Sequence, residues 1–125
     1  MPIQLNHTIV TASDQRASAE FLAGLLGLTV GEPLSHFLPV KTDNGVALDY
    51  MQVDAASIHP QHYAFLVSDD EFDAILARIR AAGIPYFADP GHRTPDAINT
   101  WNGGRATYFP DPDGHNMEIL TRSYG

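Results

Sequence analysis

The order of predicted secondary structure repeats once along this chain. Each half, at about 4–53 and 62–122, reads as a strand, a helix and three further strands. In both halves the helix ends at a glycine, Gly27 or Gly83, and a short strand and a proline follow. One such unit leaves the apolar face of its sheet uncovered, so each copy needs a partner. The sequence therefore predicts an α+β fold in which two βαβββ modules form a curved, eight-stranded cleft, as a single domain over 1–125.

Both predicted helices carry a recognisable start. Ser13 precedes a helix over about 14–26 and is expected to cap it. Ser68 and Glu71 have the spacing of a capping box, and an amphipathic stripe of apolar residues follows in a helix over about 69–82. In the first helix Ala17, Phe21 and Leu25 likewise fall on one face.

Two turn sequences predict β-hairpins. Asp-Asn-Gly at 43–45 separates strands over about 36–42 and 46–53, and such a sequence favours a tight hairpin turn. Pro-Asp-Pro-Asp-Gly separates strands over about 105–109 and 115–122. The last two strands of each module should therefore be antiparallel neighbours.

Composition excludes several classes of function. A formal charge of −8 on 125 residues argues against nucleic acid or an anionic membrane as the main partner. No apolar run approaches the roughly 20 residues of a membrane span, and the N-terminus lacks the pattern of a secretory signal. The absence of cysteine excludes disulfides, thiolate metal sites and a cysteine nucleophile. We expect a cytoplasmic protein.

Three ionisable residues lie within predicted strands that are otherwise expected to be buried. His7 and His62 hold equivalent positions in the first strand of each module, and Glu118 lies in the last strand of the second. Burying them separately would cost several kcal/mol each (an order-of-magnitude figure), whereas convergence on a divalent cation removes that cost. Two imidazoles and one carboxylate suit iron, manganese, nickel or zinc. The pattern predicts one divalent metal ion, against the alternative that each histidine is a hydrogen-bonded structural residue.

The same strands carry a family resemblance, through the segments LNHTIV, PQHYAFLV and TYFPDPDGHNMEIL. Together they resemble the vicinal oxygen chelate superfamily, which includes glyoxalase I, extradiol dioxygenases, fosfomycin-resistance thiol transferases and bleomycin-binding proteins. The resemblance implies that His7, His62 and Glu118 are the metal ligands. It places Asp49 near a fourth ligand of glyoxalase I, as a ligand or an outer carboxylate. Tyr108 has the spacing of a catalytic tyrosine in the extradiol enzymes, against the alternative of a core aromatic.

The chain also departs from the relatives that it resembles. Extradiol enzymes have a histidine near the position of Asn99, and the fosfomycin enzymes have a threonine at the position of Ile9. The long Pro- and Gly-rich segment 89–104 is expected to be a functional loop. The residues predicted to contact substrate in or beside this loop are His92, Asn99, Trp101 and Arg105, with Arg93 as a further candidate for holding an anion.

These observations favour a metal-dependent enzyme that acts on a small oxygen-bearing substrate at a dioxygenase-like site. The alternatives are a glyoxalase-type isomerase or lyase, a fosfomycin-type thiol transferase, and a metal-free protein that binds a planar drug. Cleft walls for the drug-binding alternative would be aromatic: Phe37, Tyr50, Tyr63, Phe65, Phe87 and Trp101. The resemblance also implies a homodimer.

Overall fold

The computed structural model of the protein describes residues 2–125 and divides into two compact units, one ending at Ile58 and the other spanning His59–Gly125. Each unit contains a three-stranded sheet and one α-helix. The first unit comprises β1 (His7–Ala12), α1 (Gln15–Leu26), β2 (Phe37–Lys41) and β3 (Ala47–Gln52), followed by a short 3₁₀ turn at Ala55–Ser57. The second comprises β4 (His62–Leu66), α2 (Asp69–Ala81), β5 (Ala106–Pro110) and β6 (Asn116–Leu120). No helix within residues 2–125 has both the length and the apolar character needed to cross a membrane.

The two sheets have the same topology. Their strand orders are β1-β3-β2 and β4-β6-β5, so the last strand of each unit is central. The central strand runs parallel to the first strand and antiparallel to its hairpin partner. These pairings confirm the α+β repeat and both predicted hairpins.

The predicted second strand of each unit is reduced to isolated bridges. Val30 makes a single bridge to Val40, and Phe87 bridges to Tyr108 and Pro95. Pro33 and Pro85 lie close to these bridges and have no N–H to extend a ladder. Each sheet therefore has three full strands where the sequence predicted four.

The two helix starts differ in how well the sequence predicted them. Asp14, not Ser13, is the N-cap of α1, and its carboxylate accepts a hydrogen bond from the Ala17 N–H at 3.1 Å. A carboxylate one residue later fits the cap position equally well by type, so the sequence pattern chose the wrong neighbour. The capping box of α2 is confirmed, because Ser68 and Glu71 exchange reciprocal side chain-to-backbone hydrogen bonds.

The histidine sides of β1 and β4 are exposed, which corrects the prediction that these two strands are buried around His7 and His62. In β1 the fully buried residues are Val10 and Ala12, on the face opposite His7, and α1 packs against this sheet. In β4 the residues His62, Ala64 and Leu66 alternate as the exposed set. On the neighbouring strands of the second sheet, Glu118 and Tyr108 share the face of His62 and are buried. The period of the strands was correct, but alternation alone did not show that the histidine side of each first strand is exposed.

Candidate functional site

His62 and Glu118 form the centre of the site in the second unit. β4 and β6 are parallel with Ala64 opposite Glu118, so His62 lies one step along the same face. The His62 Nε2 atom is 2.9 Å from the Glu118 Oε1 atom. The Glu118 side chain is 1% exposed and that of His62 is 48% exposed. A buried carboxylate thus meets an imidazole whose other edge faces outward.

Tyr124 binds the second oxygen of the same carboxylate. Its hydroxyl donates a hydrogen bond to Glu118 Oε2 at 2.5 Å. The pKa of Tyr124 is raised, chiefly because this hydrogen bond stabilises the protonated phenol. Tyr124 lies beyond β6, outside any strand, and no periodicity or motif in the sequence relates it to Glu118. Sequence reasoning missed this residue.

Tyr108 lies directly across the hairpin from Glu118, as its antiparallel partner in the ladder. Its ring centroid is 5.9 Å from that of His62, and its hydroxyl is 3.4 Å from the Tyr124 hydroxyl. Tyr108 is 4% exposed, and burial is the main cause of its raised pKa. The phenol is therefore held in its neutral form, able to donate a hydrogen bond beside the His62–Glu118 pair.

His92 is fixed against the edge of this site. Its Nε2 atom is 2.8 Å from Asn116 Oδ1, and its ring stacks on Phe87 with centroids 4.3 Å apart. Asn116 is the ladder partner of His62. His92 also adopts a left-handed backbone conformation with φ of 57°, which is uncommon for a residue other than glycine. The loop thus presents an anchored imidazole near the centre of the site, and its contact with a substrate stays a prediction.

Two other predicted contact residues have partners within the protein. Asn99 is buried, and its amide bonds the backbone of Ala88 at 2.7 Å and of Trp101 at 3.3 Å, so it braces the loop from inside. Arg105 is bound to two carboxylates, Asp73 at 2.7 Å and Asp69 at 3.0 Å. Its charge is balanced by the first turns of α2, and its contact with a substrate stays a prediction.

Three further residues were predicted to contact a ligand: Trp101, Tyr50 and Arg93. Trp101 is 66% exposed and open to a ligand. Tyr50 is fully buried, so it cannot be a wall of a drug-binding cleft. The backbone N–H of Arg93 is bound by the carboxylate of Asp89 at 2.9 Å.

The first unit repeats the geometry of the site with different residues. In its parallel ladder Ile9 is opposite Asp49 and His7 lies one step away, as Ala64, Glu118 and His62 do in the second unit. Asp49 is thus the structural equivalent of Glu118. His7 is exposed, and its Nδ1 atom is 2.7 Å from Asn6 Oδ1. Within either unit, the described residues contain no group of three histidine or acidic side chains that could hold a metal ion.

The donor atoms of the second unit fit a divalent ion. The His62 Nε2 and Glu118 Oε1 atoms are joined by a hydrogen bond of 2.9 Å, so both face the same small volume. Imidazole and carboxylate are ligands that iron, manganese and zinc accept. The two residues would therefore be able to supply two ligands to one ion.

Comparisons with known proteins agree with this fold. Residues 4–119 match the family described as the Glyoxalase/Bleomycin resistance protein/Dioxygenase superfamily. Among solved structures, the chain is similar to Oxidase ChaP-H2, with 59% identity, a TM-score of 0.96 and coverage of 100% of this chain and 98% of that one. Oxidase ChaP-H1 is 56% identical, with a TM-score of 0.95 and 99% coverage of both chains.

One relative of this chain is named for a different activity, that of a transferase. The chain is 30% identical to glutathione transferase FosA of Serratia marcescens over 121 residues, which are 92% of this chain and 78% of that protein. The family match extends over nearly the whole sequence and includes both units. The chain therefore belongs to the Glyoxalase/Bleomycin resistance protein/Dioxygenase superfamily.

Proposed function

We propose that this protein is a metal-dependent enzyme of the oxygenase type that acts on a small oxygen-bearing substrate. The observation that carries the proposal is the 2.9 Å pair of His62 and the buried Glu118, with the Tyr108 ring 5.9 Å from the imidazole. The prediction that His7 is a third ligand, and Asp49 a fourth ligand or an outer carboxylate, rests on the family resemblance. The high identity to two proteins named as oxidases supports this choice of reaction.

The chain's own residues supply binding, orientation and a proton. The bound ion would act as a Lewis acid toward oxygen atoms of the substrate. His62 and Glu118, on the paired strands β4 and β6, would hold it, and the burial of Glu118 would strengthen the electrostatic interaction with the cation. A tyrosine is protonated at neutral pH, and burial raises the pKa of Tyr108 further, so its hydroxyl can donate a hydrogen bond to substrate. His92 lies at the same edge and can make a further polar contact.

A thiol transferase is the second candidate, because the FosA relative is a glutathione transferase. The oxygenase is favoured over it on two grounds. Identity to the named oxidases is 59% and 56%, about twice the 30% identity to FosA. This chain also has Ile9 where the fosfomycin enzymes, by the resemblance described above, have a threonine.

Oxygen uptake distinguishes the two candidates. Protein purified without chelators should contain one divalent ion per chain and, in a screen of catechols and related polyphenols, should consume oxygen with at least one compound. A parallel assay measures loss of glutathione thiol in the presence of an epoxide. Oxygen uptake that is abolished by a chelator and restored by metal supports the oxygenase. Thiol consumption without oxygen uptake would replace it with the transferase.

We also propose that the protein is a homodimer. Ile9 and Leu66 are apolar, are 37% and 65% exposed, and lie on the histidine faces of their sheets. Covering such residues is favourable by about 25 cal/mol for each Å² of apolar surface removed from water. Sedimentation at micromolar concentration should give twice the chain mass of 13.6 kDa. A species of the single-chain mass under those conditions would contradict the dimer.

A further inference from the structure

Tyr124 has a role that neither the sequence pattern nor the proposed set of ligands includes. We propose that Tyr124 is a positioning residue, which binds Glu118 through Oε2 and thereby directs Oε1 toward the metal ion. The inference rests on the metal site of the proposed function. It adds a residue from outside the sheet to that site.

The two oxygens of Glu118 have separate partners. Oε1 is hydrogen-bonded to His62 Nε2 at 2.9 Å, whereas Oε2 accepts the Tyr124 hydroxyl at 2.5 Å. A hydroxyl-to-carboxylate bond of this length belongs to the strong, charge-assisted class. The hydroxyl therefore does not occupy the oxygen that faces His62. Metal ligands held by such outer hydrogen bonds keep a fixed orientation, which raises their affinity for the ion.

Side-chain packing does not account for the position of Tyr124. The residue is 59% exposed, whereas the carboxylate that it binds is 1% exposed. Burial of the ring contributes little to holding it there. The hydroxyl is the part of the side chain that enters the site, and it also lies 3.4 Å from the Tyr108 hydroxyl.

The segment that carries Tyr124 is tied to the long loop. Asn102 Nδ2 donates to the Ser123 carbonyl at 2.7 Å and to the Arg122 carbonyl at 3.3 Å. The Thr121 N–H donates to the Arg105 carbonyl at 2.9 Å. These bonds hold the backbone from Thr121 to Ser123. The Tyr124 hydroxyl therefore approaches Glu118 from a defined direction.

The test is the affinity of Tyr124→Phe for Co²⁺, measured by titration of metal-free protein and read from visible absorption. The sequence has no cysteine, so thiolate bands do not obscure the cobalt spectrum. We expect affinity to fall about 10- to 100-fold, as for loss of an outer partner of a metal ligand. The spectrum of the loaded variant should also change, because Glu118 is free to turn. Tyr86→Phe is the matched control: it removes a buried tyrosine hydroxyl that accepts a hydrogen bond from Arg80 at 3.0 Å, and it should bind Co²⁺ as the wild type does.

Asn102→Ala provides a second, independent variant. It removes the side chain that bonds the backbone of Arg122 and Ser123, and it keeps the Tyr124 side chain unchanged. It should show a smaller loss of affinity with a spectral change in the same direction. Wild-type affinity and spectrum in Tyr124→Phe, or tighter binding, would overturn the inference and leave the proposed function standing. A wild-type protein that binds no Co²⁺ would overturn the proposed function and this inference with it.

Discussion

Tyr108→Phe is expected to lower turnover about 10²–10⁴-fold while the metal content stays the same. The substitution removes the hydroxyl that lies beside the His62–Glu118 pair and keeps the aromatic ring. A neutral phenol is not among the proposed ligands, so the ion should remain bound. Turnover is measured on whichever compound the oxygen-uptake screen identifies, with metal analysis of the same preparation.

Stability separates this loss of chemistry from a loss of fold. Removing one hydrogen-bonded hydroxyl should cost about 0.5–1.5 kcal/mol in the free energy of unfolding. Tyr86→Phe serves as the control, because its hydroxyl bonds Arg80 and is not part of the site. Wild-type turnover in Tyr108→Phe would make Tyr108 a core aromatic, and loss of metal would show that the proposed set of ligands is wrong.

His62→Ala is expected to lower bound metal at least about tenfold. The substitution removes the donor atom that lies 2.9 Å from Glu118 Oε1. It also leaves a buried carboxylate oxygen without its imidazole partner, so the metal-free protein should lose roughly 1–3 kcal/mol of stability. Metal is measured on protein purified without chelators, and stability by denaturant unfolding of the metal-free form.

Two further variants show whether a loss of metal in His62→Ala comes from the missing imidazole or from lower stability. His62→Gln can still donate a hydrogen bond to Glu118 but has no imidazole, so it should recover part of the stability and none of the metal. His59→Ala removes an exposed histidine of the same unit and should bind metal normally. Full metal occupancy in His62→Ala would remove His62 from the ligand set.

The features that depend on neighbouring residues could be predicted from the sequence. The repeated order of elements, both hairpins and the capping box of α2 are each encoded within a few residues, through turn chemistry, glycine positions and periodicity. The sequence analysis predicted that His62 and Glu118 come together, from the cost of burying them separately and from the family resemblance, and the parallel register of β4 and β6 places them on one face. Local rules identified Glu118 as a buried carboxylate, and the structure places it among the buried residues.

Contacts between distant segments were decided only by the tertiary structure. Periodicity shows that a strand has two faces but not which of them a helix covers, so the exposure of His7 and His62 could not be read from alternation. Arg105 is neutralised by Asp69 and Asp73, some thirty residues earlier in the chain. Tyr124 bonds Glu118, and Asn102 bonds the segment after β6 from the long loop. Such contacts follow from where the folded backbone brings side chains together, and no local propensity or spacing in the sequence specifies that.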